Sequence, residues 1–474
     1  MAEQVKTDFH ILICLIRIWD ADIDDLMTIP PKVDMITEVQ TIETTESYEQ
    51  VIDTAKIKFP KGTLLRTTIA YPVVDKIDEE DQIVMNQSGV VEVRKAGSKV
   101  ASAVDFSVGR RIKIQFGYTT DPLIAAMTKV KQNNQNIYNN SDMFKQYTRE
   151  MNYEFDGFIT QCGLEEPLEI KCEDLGHMTR RRMCDKVGSA GDLGVNDFLA
   201  EDGKYHWLDD TGLTLLDDTK KADIKIGRFA PDRVMSVFEL LTSWGKRKLN
   251  AFVVIKNGKP CLAVAKSYFT DIQEDSVIKV MSKIKNSDTP VIDFSYNVAN
   301  NGLTLSRIDP LKLAVKASGY GKDNKHFHLV AMLNPDYLTG KSDKKFRIVG
   351  ASTFNKKSKK KYKGTDKIDL KGYTVIQYQS TNPNTTKETL EKEAKDYFES
   401  YNRTGLEGTL TLFGDYGSDK LYSGGTVILQ DDRQPAKNGK YVVGEIVTKF
   451  GVQGYRRIIK LPYCLELYSN SSNE

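Results

Sequence analysis

Few stretches of this 474-residue chain carry residue types at spacings that could do chemistry, and each breaks its own pattern. Asp20-Ala-Asp-Ile-Asp-Asp25 sets carboxylates at alternate positions, as the start of a calcium loop does. Asp25, however, stands where that loop needs glycine, and Pro31 where it needs its bidentate glutamate, so an acidic surface turn is expected. Gly340-Lys341-Ser342 ends like a phosphate-binding loop, but Pro335 occupies the place of the leading glycine. His326-Phe-His328 would put two imidazoles on one strand face, which suits a metal ion. Asp323, the nearest carboxylate, falls at an odd spacing and so on the opposite face; a surface or interface pair is expected instead.

The remaining chemical signals are weaker. The six cysteines (Cys14, Cys162, Cys172, Cys184, Cys261 and Cys464) include no CxxC pair, which fits reduced thiols and neither a disulfide framework nor a zinc module. Cys162 and Cys172, ten residues apart on consecutive candidate strands, read as small core residues. With five histidines and no GxSxG, nothing points to acyl transfer, and no catalytic residue, cofactor or metal is assigned. The strongest charge feature is the run Lys356, Lys357, Lys359, Lys360, Lys361 and Lys363. Clustered lysines can engage a phosphate backbone; the competing reading is a solvated loop or a contact with an acidic neighbour.

That run belongs to a wider charge split. Residues 1–100 hold 11 Lys/Arg against 18 Asp/Glu, a net of −7, and residues 341–367 hold 11 Lys/Arg against 2 Asp, a net of +9. The overall +2 hides this division, which allows electrostatic pairing between subunits. Hydrophobic content of 40% with 28% charged residues describes a soluble globular chain long enough for two to four domains. The apolar run Phe9–Trp19 is too short to span a bilayer, carries Arg17 and leads into acids; it reads as a buried strand rather than a signal peptide, and no membrane insertion is expected.

The elements that would position these residues are mostly strands. Phe9–Ile18, Met35–Thr45, Thr54–Phe59, Arg110–Tyr118, Tyr153–Thr160 and Leu168–Glu173 are short and rich in β-branched or aromatic residues. Ala55, Ile57 and Phe59, and again Ile112, Ile114 and Phe116, alternate with polar residues, as in antiparallel sheets, sandwiches and barrels. Gln132–Ser141 reads as an Asn-rich loop. From residue 177 the texture changes. Asp232 can cap a helix carrying Val234, Val237, Phe238, Leu241 and Trp244 and stopping at Gly245, and Asn257-Gly258 between two apolar runs predicts a hairpin. In the last third, Thr385 and Glu388 form a capping box ahead of a helix that buries Leu390, Ala394, Tyr397, Phe398 and Tyr401. Strands are predicted at Gly408–Phe413, Gly425–Gln430, Lys440–Phe450 and Tyr455–Leu467. The expected architecture is mainly β with an α+β insert: two antiparallel, tube-like β-barrels (1–176 and 296–474, the second with one embedded helix) flanking a small α+β module (177–295).

The C-terminal block is the most specific part of the sequence. After the helix come Gly408-Thr-Leu-Thr-Leu-Phe-Gly414-Asp415, Leu421-Tyr-Ser-Gly424-Gly425-Thr-Val427, Asn438-Gly439-Lys-Tyr441-Val-Val443-Gly444 and Gly454-Tyr455-Arg-Arg-Ile-Ile459. This order resembles the phage late-control protein D family, which includes the trimeric tail hubs of contractile phages and the hub portion of type VI secretion spike proteins. The family pattern runs helix, G-x-L-x-x-x-G-D, x-x-G-x-x-V, G-x-Y-x-V and a final G-Y strand. Asp53-Thr-Ala-Lys-Ile-Lys-Phe-Pro60, Gly109-Arg-Arg-Ile-Lys-Ile114 and Phe155-Asp-Gly-Phe-Ile-Thr160 are similar to its early strands. Independently of the family, Gly424, Gly425, Gly439 and Gly454 are expected at turns needing positive φ, and Tyr441 and Tyr455 as large barrel-facing rings with a polar tip.

The resemblance implies a non-enzymatic structural hub: a homotrimer whose two barrels per chain form a pseudo-sixfold ring. Such a ring matches a hexameric tail tube on one side and a trimeric spike or tip on the other, with DNA passing through its lumen. It implies contacts with other baseplate proteins, and a place in a virion tail baseplate or injection-system particle assembled in the bacterial cytoplasm. Because the sequence stops at Glu474, soon after the C-terminal block, a separate spike or tip protein is expected. The 119–150 and 335–375 stretches have no place in the family pattern and are expected to contact neighbours. Two rivals stay open: a tail-associated enzyme that degrades cell wall or glycan, which needs paired carboxylates in a cleft, and a nucleic-acid-binding protein that uses the lysine run.

Overall fold

The computed structural model describes the chain except for residues 1–10, 23–24, 31–32, 61–64, 67–81, 86–90, 95–103, 121–147, 150, 164, 185–192, 227–234, 246–247, 268–274, 286–287, 308–309, 322–324, 356–369, 381–383, 402–403, 415–420 and 469–474. The chain divides into two compact units. Residues 1–45, 54–175 and 448–456 make the first, and residues 46–53, 176–447 and 457–474 the second.

In unit 1 the alternating apolar residues build one antiparallel sheet. Its strands are β1 (Ile11–Trp19), β2 (Asp34–Ile36), β3 (Thr41–Ser47), β4 (Thr54–Lys58), β5 (Arg111–Thr119), β6 (Met151–Cys162) and β7 (Glu169–Asp174). They lie in the order β3-β4-β7-β6-β5-β1-β2. The expected Met35–Thr45 strand is therefore two strands, β2 and β3, at different places in the sheet. One face packs Ile16, Ile57, Ile112, Ile114, Phe116 and Ile170. Phe450 and Tyr455, from the segment 448–456, join that core, with ring centroids 4.6 and 5.1 Å from Phe116. The other face of β1 is apolar as well: Ile13, Leu15 and Trp19 are buried with Met35 and Met151. Burial on both faces is why β1 reads as an apolar run interrupted only at Arg17.

That second face also holds a buried charge. Arg111, on the polar side of its strand, is only 1% exposed. It lies between the rings of Trp19 and Phe158, pairs with Asp156, and donates to the carbonyls of Gly157 and Leu26, both at 2.9 Å. Burial pushes the Asp156 carboxyl above its ordinary range, against the pull of the Arg111 and Lys113 charges.

Unit 2 holds several cores. The first surrounds α1 (Val195–Leu199) and α2 (Val237–Gly245), packed with the hairpin β8 (Leu249–Lys256) and β9 (Lys259–Lys266). Trp207, Trp244, Leu240 and Leu262 lie at its centre. The Asn257-Gly258 turn is as expected, with both residues at positive φ (52° and 73°). Asp232 lies outside the described residues; α2 starts at Val237, where Ser236 and Glu239 cap each other's backbone N–H at 3.0–3.2 Å. The hairpin's other face buries Phe252, Val254 and Ala263 against Val277, Val280 and Met281 of α3 (Val277–Lys285).

Residues 291–467 form two further cores. The strands β10 (Val291–Asp293), β11 (Val298–Arg307), β12 (Leu313–Tyr320), β13 (Lys325–Leu333), β14 (Phe346–Asn355) and β15 (Thr374–Gln379) precede α4 (Lys387–Tyr401). After it come β16 (Thr404–Phe413), β17 (Thr426–Gln430), β18 (Gly439–Val442), β19 (Glu445–Gly451), β20 (Gly454–Leu461) and β21 (Cys464–Leu467). The long predicted strands at 440–450 and 455–467 are each divided, the first at Val443-Gly444 and the second at Pro462. Strands β14-β13-β12-β15 form a four-stranded sheet covered by α4, whose Leu390, Ala394, Tyr397 and Phe398 are buried on it. The cap of α4 sits one residue later than expected: Thr386 and Thr389 exchange side chain-to-backbone bonds at 2.8 and 3.2 Å, while Thr385 is buried and donates to Ser380. The other core joins the sheet β10-β17-β18-β21 to β11 and β16 through Ile292, Leu410, Leu412, Val427, Leu429, Tyr441 and Ile459.

The fold is therefore mainly β, with several antiparallel sheets and an α+β region. Among the described residues no sheet closes into a barrel, and the predicted embedded helix lies on an open four-stranded sheet instead.

Removing Asp156 would leave Arg111 buried without its counter-charge. Asp156→Ala is expected to lower unfolding free energy by about 3–5 kcal/mol in chemical denaturation, whereas the paired change Arg111→Met with Asp156→Leu costs far less.

Candidate functional site

Part of the C-terminal motif block meets at a junction inside unit 2 built on Gly424, Gly425 and Val443, whereas Gly454 and Tyr455 belong to unit 1. Gly424 donates its N–H to the Val443 carbonyl at 2.8 Å, and Val443 returns a bond to the Gly425 carbonyl at 2.9 Å. Ser423, 2% exposed, donates to the Gly444 carbonyl at 3.0 Å and accepts from the Tyr48 N–H at 2.6 Å. Its own N–H goes to Glu46 at 2.8 Å. The segment 46–53, the α3 helix and the strands β17 and β18 are thus tied at one point.

Glycine is required there for space as much as for conformation. Gly424 has φ 78°, and a Cβ on it would come within 2.7 Å of Val277 Cγ1 and 3.1 Å of Met281 Cγ. Gly454 is also at positive φ, but Gly425 and Gly439 are not, which corrects the expectation for those two. At Gly425 a Cβ would strike the Tyr422 ring, and at Gly439 the Glu466 carbonyl of the adjacent strand. Tyr441 and Tyr455 are fully buried core rings with satisfied tips: Tyr441 donates to the Lys437 carbonyl at 3.0 Å and Tyr455 to Glu154 at 2.6 Å. Val443 and Gly414 are buried, while Asp415 lies outside the described residues. The motif residues are used to hold the fold together.

The other candidates divide among several places. Asp20 of the acidic turn pairs with Arg110 at 2.9 Å, and Arg110 also holds Asp34 at 2.8 Å. Asp25 accepts from the Thr28 N–H at 3.1 Å. Gly340-Lys341-Ser342 closes a short helical turn capped by Asn334, and the Lys341 and Ser342 amides bond the Asp336 carbonyl. All six cysteines are free thiols; Cys172 is buried and Cys162 half-buried. Lys356, Lys357, Lys359, Lys360, Lys361 and Lys363, the Asn-rich loop, Asp323 and most of 119–150 lie outside the described residues. Part of the 335–375 stretch is regular: Phe346–Asn355 is a strand of the sheet under α4.

His326 and His328 share the face of β13 that points away from α4, as strand alternation requires. His328 Nε2 is 3.1 Å from His326 Nδ1, and the His326 ring stacks on Tyr320 with centroids 4.3 Å apart. Burial lowers both imidazole pKa values from the ordinary 6.5, helped by the His328 charge at His326 and the Lys316 charge at His328. Among the described residues no group of three or more His, Cys, Asp or Glu is placed to hold a metal.

Sequence reasoning missed one surface. Among the described residues β11 is an outer strand paired with β16 alone, so one side of this ten-residue strand is an edge there. Leu305 on it is 68% exposed, Tyr296 just before it 79%, and Phe413 at the end of β16 40%. Leu303-Thr304-Leu305 alternates, but Asn300-Asn301-Gly302 before it breaks the pattern over the first half of the strand.

No family model matches the chain, and no curated protein matches it. Among solved structures it is similar to a tail protein from Neisseria meningitidis MC58, at 8% identity and a TM-score of 0.45, over 95% of this chain and 96% of that one. It is also similar to the 43 kDa tail protein of prophage MuSo2 from Shewanella oneidensis, at 9% identity and a TM-score of 0.44, over 95% and 97%. A third is a lidded PdpA–VgrG complex from Francisella, at 12% identity and a TM-score of 0.44, covering 99% of this chain and 54% of that one.

Gly424→Ala forces a side chain into left-handed backbone and into Val277. It is expected to cost about 2 kcal/mol or more, read as a fall in the denaturation midpoint. An unchanged midpoint would mean that the junction is not tightly packed.

Proposed function

We propose that this chain is a non-enzymatic structural subunit of a phage-tail or injection-system baseplate. In this reading it is a homotrimeric hub that adapts a hexameric tail tube to a trimeric spike or tip, leaving a lumen for DNA. The observation that carries the assembly part is the exposed edge at β11. A long outer strand with Leu305 and Tyr296 in water is an aggregation liability in a monomer, and covering each such side chain is worth about 2 kcal/mol. The kind of assembly comes from the C-terminal sequence pattern, whose glycines and tyrosines have structural uses throughout the described part of the block.

The tube-like barrels belong to the same proposal: closure is supplied in the assembly, by strand edges of neighbouring copies. Among the described residues no helix is long and apolar enough to cross a membrane, and the reading requires none.

Light scattering over a range of concentrations tests it. The expected mass is three times 53.5 kDa, and Leu305→Lys, which puts a charge on the edge, is expected to shift the population to monomer. A wild-type protein that stays monomeric at every concentration contradicts the trimer.

A further inference from the structure

The pair His326 and His328 is not used by the assembly reading, and the two rings face each other nitrogen to nitrogen. The two nitrogens that face one another, His326 Nδ1 and His328 Nε2, are 3.1 Å apart. Two imidazole nitrogens bound at the usual zinc distance to one tetrahedral ion stand about 3.3 Å apart, and about 2.9 Å apart at a right angle. The observed separation lies between these values. Strand alternation accounts for the pairing, since residues two apart project from the same face.

The surroundings hold the rings in place. Tyr320 lies directly across from His326 in the β12–β13 register and stacks on it with an interplanar angle of 7°. The His328 ring stands edge-on to His326, with centroids 4.1 Å apart. Ser318 is the residue across from His328 on the same sheet face. Both imidazoles are half-buried, so water can reach the remaining positions of a bound ion.

We propose that His326 Nδ1 and His328 Nε2 chelate one divalent transition-metal ion of the class that prefers imidazole, such as Ni²⁺ or Zn²⁺, with water completing its coordination. Imidazole suits these ions, and two rings fixed on a strand lose little freedom on binding. The cationic Lys316 lies next to His328 and weakens the site without blocking it. A site with two protein ligands is an exchangeable one, not a structural zinc centre of four ligands.

The test is calorimetric titration of the full chain with Ni²⁺ at neutral pH, with the thiols kept reduced. Wild type is expected to bind one ion per chain. His326→Gln and His328→Ala, each checked for an unchanged melting temperature without metal, are expected to weaken binding by more than about tenfold, the equivalent of 1.4 kcal/mol. His206→Ala, at a site distant in sequence whose ring meets the Glu201 carbonyl, is expected to bind as wild type does. No saturable binding by wild type up to millimolar Ni²⁺ would show that the pair is joined by an N–H···N hydrogen bond alone and would overturn the site. Binding retained in both His326→Gln and His328→Ala would overturn it too. Neither result bears on the oligomeric state, so the assembly reading stands or falls separately.

Discussion

At residue 424 there is no room for a β carbon, and one junction of unit 2 is built on that fact. The backbone there passes against Val277 and Met281 of a helix and against Tyr48 of a segment far away in sequence. It reaches left-handed conformation while exchanging hydrogen bonds with Val443. Close approach of this kind is available only to glycine, and it lets Ser423 and its neighbours satisfy buried backbone groups that would otherwise be costly. Beyond this junction β17 and β18 pair, and Tyr441 packs in the core they share with β16.

A different constraint governs unit 1. Its sheet buries both faces of β1, so one face must accommodate the polar half of the alternating strands, Arg111 included. The fold meets that demand by pairing and stacking: Asp156 neutralises the guanidinium, two carbonyls accept from it, and two aromatic rings sandwich it. Charges used in this way do structural work, as do the acids around Arg110. Leu305 on β11 and Tyr296 just before it are among the large apolar side chains of unit 2 that internal packing leaves uncovered.

Much of this was legible in the sequence because the physics was local. Period-two alternation marked β4 and β5 within a residue or two, the Asn257-Gly258 turn marked its hairpin, and helical spacing marked the buried stripe of α4. Capping was harder to place, since Thr385 and Thr386 are chemically alike and only tertiary burial of Thr385 makes Thr386 the cap. The reasons for Gly425 and Gly439 were also hidden, because the atoms that exclude a side chain come from the Tyr422 ring and from a strand 27 residues beyond Gly439. The burial of Arg111 and the exposure of Leu305 could not be read either. Both depend on which strands lie at the middle and at the rim of a sheet, and strand order is a long-range property.

The most direct measurement of the central claim is an electron cryo-microscopy reconstruction of the purified full-length protein without imposed symmetry. The account predicts a threefold-symmetric ring in which β11 and Leu305 lie at the boundary between subunits. Particles of single chains, or a ring in which β11 faces solvent on every subunit, would contradict it.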